Sequence, residues 1–405
     1  MSNTLPRLRM NLDFMPSPVP ERPGLLIRDP FQYSDMTLIV PPVLVEALEY
    51  FDGQRAETDL RSALFQITGD LQVGELQQHL TQSLRNAGFL EDEVYTEMRE
   101  QREKAFAEAG AREPAHAGSG YPEEPAALAD TMRRYLDGDQ VQPAPAQLIG
   151  VAAPHVSPEG GWKSYRAAYA GLVREDYADR TFVILGTSHY GHPERFGLSR
   201  KVWRTPWGDA HPDLHLVEEL QAKAPRAIKM EDYCMAVEHS IEFQVIFLQY
   251  LFGPHVKVLP ILCGAYARSL YEGGMPEDDE NVKRFIETLG GIGAREGKKL
   301  FWCLGVDMAH MGRRYGDPFP ASADRAEMLA VGARDQARID RINTSDAKGY
   351  WELIQENHDD LKWCGSAPFY TFLKAMPQAQ GTLARYEQWN IDPDSVVSFA
   401  GMRFS

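Results

Sequence analysis

The chain has few cysteines, no long apolar run and no excess of positive charge, and each shortage removes a class of protein. Its four cysteines, Cys234, Cys263, Cys303 and Cys364, lie far apart with no CxxC pair. That pattern encodes neither a disulfide scaffold nor a zinc ribbon, and a reducing, cytoplasmic interior fits it best. The longest apolar stretch, residues 38–45, carries two prolines and falls far short of the roughly 20 residues a membrane helix needs. Residues 1–24 mix Arg, Asp and Pro without a continuous apolar core, which speaks against a signal peptide. With 42 Lys and Arg against 58 Asp and Glu, the formal net charge is −16. An acidic surface repels phosphate backbones, and no basic patch offsets it. Neither nucleic acid nor membrane is expected as a partner.

What is present is the composition of a folded chain long enough for two domains: 405 residues, 43% hydrophobic and 25% charged. Within residues 24–103, Leu44, Leu48 and Phe51, then Leu60, Leu64 and Ile67, then Leu76, Leu80 and Leu84 recur at three- and four-residue steps. The spacing predicts a small domain of three amphipathic helices, punctuated by Gly53 and Gly88. Residues 104–146 turn to Ala, Glu, Gly and Pro, a linker by composition with a short helix near 128–136. From 147 to 405 strand-like and helical patterns alternate, then give helices near 321–342, 345–357 and 366–375 and two closing strands, 382–389 and 395–404. Such alternation predicts an α/β fold with a mostly parallel sheet, helices on both faces and an antiparallel pair at one edge.

Three of the strand-like runs, 147–153, 181–185 and 299–304, end just before residues that bind metals or move protons. They lead into Ala-Pro-His at His155, Gly-Thr-Ser-His at His189, and Val-Asp-Met-Ala-His at Asp307 and His310. In open α/β sheets ligands gather at the carboxyl edge of the strands, so the three motifs point to one site. A lone buried His is more often a hydrogen-bonded core residue than a ligand. Pro154 stiffens the approach to His155, however, which favours the ligand reading there, and Gly186 before His189 lets another group come close. His192, ahead of Pro193, reads as a loop residue. Glu238-His239-Ser240-Ile241-Glu242 opens a helix on which Glu238 and Glu242, one turn apart, flank His239, so one face can offer a carboxylate and an imidazole to the sheet edge. Glu242 alone reads as a partner of the helix dipole. Asp307 and His310 have the spacing of an Asp that orients a His for acid/base work. Cys364 stands just before the helix that begins near Ser366. A lowered pKa there suits a metal ligand or a nucleophile, while a small buried hydrophobe is the plain alternative.

In their order along the chain, Ala-Pro-His155, Gly-Thr-Ser-His189, Arg204-Thr-Pro-Trp-Gly208, Glu238-His-Ser-Ile-Glu242, Asp307-Met-Ala-His310 and Cys364-Gly-Ser-Ala-Pro368 resemble the Memo family. Its bacterial form is called AmmeMemoRadiSam system protein B, and the resemblance runs from about Leu148 to the C-terminus. It implies a fold similar to the extradiol ring-cleaving dioxygenases and a pocket that holds iron or copper, with zinc possible, through His155, His189 and Cys364. His310, Asp307, His239 and Glu238 are then the catalytic candidates, and the substrate is a small molecule or peptide. It also implies radical-SAM and AMMECR-type protein partners. Residues 24–103, through the Phe51-Asp-Gly turn and the closing Gly88-Phe-Leu, resemble a PqqD-like winged helix, which implies partner or peptide binding.

The chain departs from the family after His155, where Val156-Ser-Pro-Glu-Gly-Gly-Trp162 replaces Ala-Gly-Tyr, and before Asp307, where Gly305-Val306 replaces Ser-Ser. Both changes fall around the pocket and bear on substrate more than on ligands. Ring-cleaving relatives place a carboxylate where this chain has Cys364, and a thiolate is a softer donor. Three functions follow for comparison. One is a metal-dependent oxidoreductase, and a second is a metal-binding scaffold without turnover. The third is a metal-free Cys364 nucleophile with His310 as base and Asp307 as its orienter.

Overall fold

The computed structural model describes residues 4–70, 72–137 and 148–405, and the chain divides into two compact units, Met1–Glu108 and Ala109–Ser405. In the first unit a sheet precedes the helices. Strands Asp13–Pro16, Leu25–Arg28 and Thr37–Val40 pair antiparallel, and helices Glu57–Thr68, Val73–Asn86 and Glu93–Glu108 follow. Leu60, Leu64, Leu80 and Leu84 pack with Ile27, Leu48, Phe51 and Phe89 in one core. The helix expected around Leu44, Leu48 and Phe51 is instead a pair of 3-10 turns, Pro42–Leu44 and Glu46–Tyr50. Pro41 and Pro42 stand at the start of the first turn, where proline is tolerated, and Gly53, at φ 79°, turns the chain soon after the second. The sheet escapes a sequence reading because four-residue strands give too few alternations to register. After Phe89, where the winged-helix resemblance places a wing, Leu90 makes one isolated bridge to Leu8 and the chain enters the helix Glu93–Glu108.

The second unit holds a large, mostly parallel sheet. Four strands form its centre in the order Gly150–Ala153, Leu300–Gly305, Thr181–Thr187 and Lys257–Cys263, all parallel. They are buried almost throughout, which is why each reads as an unbroken apolar run. Alternate residues face opposite sides. Phe182 stacks on Phe252 of the helix His239–Phe252 with ring centroids 5.1 Å apart, whereas Trp302, in register with Val183, meets Phe372 of the helix Ser366–Ala375 at 5.7 Å. Helices therefore cover both faces. The last strand, Ser395–Phe404, runs antiparallel beside Gly150–Ala153 and carries Gly381–Asp392 on its other side, as the closing pair predicts.

The stretch read as a linker, 104–146, is corrected by the structure. Residues 104–108 finish the helix Glu93–Glu108, Ala111 and Arg112 pair in parallel with Val202 and Trp203, and Pro125–Leu136 is a helix lying against the helix Pro158–Tyr169. The part of that stretch from 138 to 146 lies outside the described residues. Small residues and prolines mislead over 109–124, where side-chain bonds to neighbouring elements hold the segment in place, whereas the helix expected near 128–136 is present and buries Leu128, Met132 and Leu136. No described helix is long and apolar enough to cross a membrane.

Candidate metal centre

Three adjacent parallel strands deliver the site. Gly305 stands opposite both Ala153 and Gly186, so the strand ends are level. His155, His189 and Asp307, each two residues beyond its strand, emerge together at the carboxyl edge. The helix His239–Phe252 brings further groups. Glu238 caps it by accepting from the N–H groups of His239 and Ser240 at 2.9 and 3.0 Å. The first turn of that helix sits directly on the strand ends: a Cβ on Gly305 would stand 2.0 Å from Ser240 O, and one on Gly186 would stand 2.6 Å from Ser240 Oγ. The close approach that Gly186 permits is thus made by this helix.

His155 is buried, and its Nδ1 faces the carbonyl of Gly305 at 3.0 Å. That bond assigns the ring proton to Nδ1 and leaves the Nε2 lone pair free. Nε2 lies 3.2 Å from Cys364 Sγ and 3.4 Å from Asp307 Oδ2. His189 Nδ1 meets both oxygens of Glu238 at 3.0 and 3.1 Å. The ring of His239 lies 10° from parallel with that of His189, and its Nδ1 stands 3.4 Å from Glu238 Oε1. The centroids of the three rings are 5.0, 5.1 and 4.9 Å apart. Among the described residues His155, His189 and His239 form the group whose donor atoms all lie within 4.8 Å of one another. Cys364 adjoins that trio through His155.

Burial lowers the pKa of His155 against the pull of Asp307, and lowers that of His239 further. Both shifts favour the neutral imidazole that ligates metals. Burial works downward at His189 too, but Glu238 outweighs it and the pKa is raised. Glu238 is buried as well, which alone would raise its pKa. His189, His239 and the Ser240 N–H instead hold it well below the usual carboxylate range.

On the other side of the site, Asp307 Oδ1 accepts from the backbone N–H of His155 at 2.9 Å. It anchors the His155 loop and does not orient His310, which corrects the expected Asp–His pairing. His310 Nδ1 faces the carbonyls of Met308 and Lys362 at 2.9 and 3.0 Å, and its ring packs edge-on against Tyr315. Burial pushes its pKa down to about 4. The thiol of Cys364 also departs from expectation, since its pKa is raised well above the ordinary value by burial, with the charge of Asp307 adding to it. A helix dipole acts over about one turn, and here burial and the three carboxylates of Asp307, Glu238 and Asp359 outweigh it. Without a cation Cys364 is a protonated thiol, which counts against a metal-free nucleophile.

The segment after Ala109 closes the site from behind. Buried Arg112 donates from Nε to Met235 O and from Nη2 to Glu238 O, both at 2.9 Å, and pairs through Nη1 with Glu242. Its guanidinium lies 4.7 Å from the Trp203 ring. Glu242 also accepts from Tyr121 Oη and from the His116 N–H. The His116 ring stands 5.6 Å from that of His239. Glu242 is therefore a buried anchor and more than a partner of the helix dipole. Sequence reasoning misses Arg112, His116 and Tyr121; the available signal was a lone Arg, His and Tyr among small residues, with no period to mark them. His192 sits in an exposed loop, where its Nδ1 accepts from the Glu194 N–H at 3.1 Å.

A family model described as Memo-like protein matches residues 112–403, starting at Arg112. The chain is 30% identical over 384 residues to a MEMO1 family protein of Aquifex aeolicus, covering 94% of this chain and 95% of that one. It is 27% identical over 297 residues to a MEMO1 family protein of Methanosarcina mazei, covering 72% of this chain and 98% of the relative.

Proposed function

The chain belongs to the Memo family, and on that premise we propose that it is a metal-dependent oxidoreductase. Iron or copper, with zinc as a further occupant, would be held by His155 and His189, with Cys364 as the third donor. One observation carries this reading: His155 and His189 both have Nδ1 tied to a fixed acceptor, Gly305 O or Glu238, so each turns Nε2 free for a cation. When bound, iron or copper would supply Lewis acidity and electron exchange, and zinc Lewis acidity alone.

The chain's own residues do the rest. His310 is neutral at physiological pH, and with Nδ1 tied to carbonyls it takes up a proton at Nε2. Glu238 stays ionised and, with the neutral His239 beside it, orients the His189 ring and is the charged catalytic candidate of this half, and Asp307 keeps the His155 loop in register. Kinship of fold with extradiol ring-cleaving dioxygenases and the role of AmmeMemoRadiSam system protein B belong to the same proposal. So do a small-molecule or peptide substrate, radical-SAM and AMMECR-type partners, and a cytoplasmic setting. Metal analysis after anaerobic reconstitution tests it. His155→Ala is expected to lose bound iron or copper, and wild-type metal content in that variant would show the ligand set to be wrong.

A second reading, a metal-binding scaffold without turnover, is favoured by the first unit. The Methanosarcina relative is almost fully covered by 72% of this chain, so a family member is complete without a counterpart to the remainder. The first unit then acts as a docking module of PqqD-like type. Because residues 109–136 build the second unit, the deletion that separates the readings ends at Glu108. Loss of partner capture with metal content intact supports docking, and unchanged capture opposes it.

A further inference from the structure

We propose that Asp335 is a positioning residue that sets the placement of Cys364 and of the 307–310 turn toward the metal pocket. The inference rests on the reading of that pocket as a metal site. Asp335 lies on the helix Ala326–Asn343, is fully buried, and touches none of the candidate donors. Its Oδ1 accepts from Trp363 Nε1, and its Oδ2 accepts from Tyr386 Oη and Ser398 Oγ, each at 2.6 Å. Burial raises the pKa of this carboxyl, and the bonds from Ser398, Tyr386 and Trp363 pull the other way, toward the form that accepts from all three.

Two of these donors are coupled to the site. Trp363 immediately precedes Cys364 and is held at its other end as well, its backbone N–H donating to Asp359 at 2.7 Å. Ser398 carries the opposite turn: it exchanges backbone bonds with Met308 and Ala309, and its Oγ accepts from the Ala309 N–H, all at 2.8 Å. A carboxylate only accepts, so it forces the Ser398 proton toward itself and turns a lone pair to Ala309. The two turns then meet in front of Asp335, where the Gly365 N–H donates to Asp307 O at 3.0 Å and the His310 N–H to Leu361 O at 2.8 Å. One carboxylate thus ties together the loops bearing Asp307, His310 and Cys364. A well-packed apolar residue would serve stability as well or better, which is why a role in geometry is the stronger account of a buried charge here.

Three variants separate geometry from stability. Asp335→Asn removes the hub, Trp363→Phe removes the bond beside Cys364, and Tyr386→Phe removes a bond of equal length from a residue whose backbone pairs with Ala400 and with neither turn. Anaerobic titration with chelator-buffered Cu(I) is expected to show affinity lowered roughly 10–100-fold, the range for loss of a supporting partner, in the first two and unchanged in the third. Iodoacetamide labelling of Cys364 in metal-free protein is expected to change in rate in the same two variants only. Equal Cu(I) affinity in all three, or a loss in Tyr386→Phe as large as in Trp363→Phe, overturns the proposal while leaving the metal site standing. A wild-type protein that takes up no Cu(I), with labelling equal in all variants, overturns both.

Discussion

The two halves of the site are braced by buried carboxylates of different kinds. Behind His189, Glu238 and His239 stands Glu242, paired with the buried guanidinium of Arg112 and with Tyr121. Behind Asp307, His310 and Cys364 stands Asp335, held by an indole, a phenol and a hydroxyl. The first brace is an ion pair, in which loss of one member strands the other; the second is a set of neutral donors that share the load. The difference teaches that the Glu238 half depends on a segment distant in sequence and the Cys364 half on the helix and hairpin around it.

Breaking the ion pair has the largest expected effect. Arg112→Ala leaves Glu242 buried without a cation and should destabilise the protein by about 3–5 kcal/mol, measured by urea titration. Asp335→Asn keeps the shape and some of the bonds, and should cost about 2–3 kcal/mol in the same titration. If Asp335→Asn proves the costlier of the two, the contrast between the braces is wrong.

His310 and His189, one histidine from each half, also respond oppositely to pH in metal-free protein. His310 has its pKa depressed to about 4 from an ordinary 6.5, so its contribution is present above the unfolded value and is lost as pH falls through that window. His189 has its pKa raised, so its contribution is full below 6.5 and is lost as pH rises. His310→Asn should therefore flatten the fall in urea midpoint between pH 6.5 and about 4 in the presence of chelator, and an unchanged slope would contradict this assignment. Smallest of all, Tyr121→Phe removes one bond to Glu242 and should cost about 1–2 kcal/mol; a loss as large as that of Arg112→Ala would mean that the phenol, and not the guanidinium, is the main support.

Much of the strand-end part of the site is legible in sequence, because parallel strands buried on both faces write themselves as apolar runs and the residues just past them stand out as ligand candidates. His155, His189 and Asp307 are found that way, and the strand register then brings them together. The same approach fails for Arg112, His116 and Tyr121, whose partners lie more than a hundred residues away and whose own segment has the composition of a linker. It fails for Asp335 as well, since a helix that carries a buried carboxylate looks from sequence like one with a solvated face. Partner choice misleads in the same way: Asp307 and His310 are three residues apart, yet Asp307 bonds to His155, because the strand order places that loop beside it. The field at Cys364 is set by burial, which a single sequence does not display.

X-ray absorption at the metal edge of the reconstituted protein tests the central claim most directly. The account predicts at least two nitrogen donors and one sulfur, with the nitrogen shell depleted in His155→Ala. An all-oxygen shell, or a spectrum that His155→Ala leaves unaltered, would contradict it.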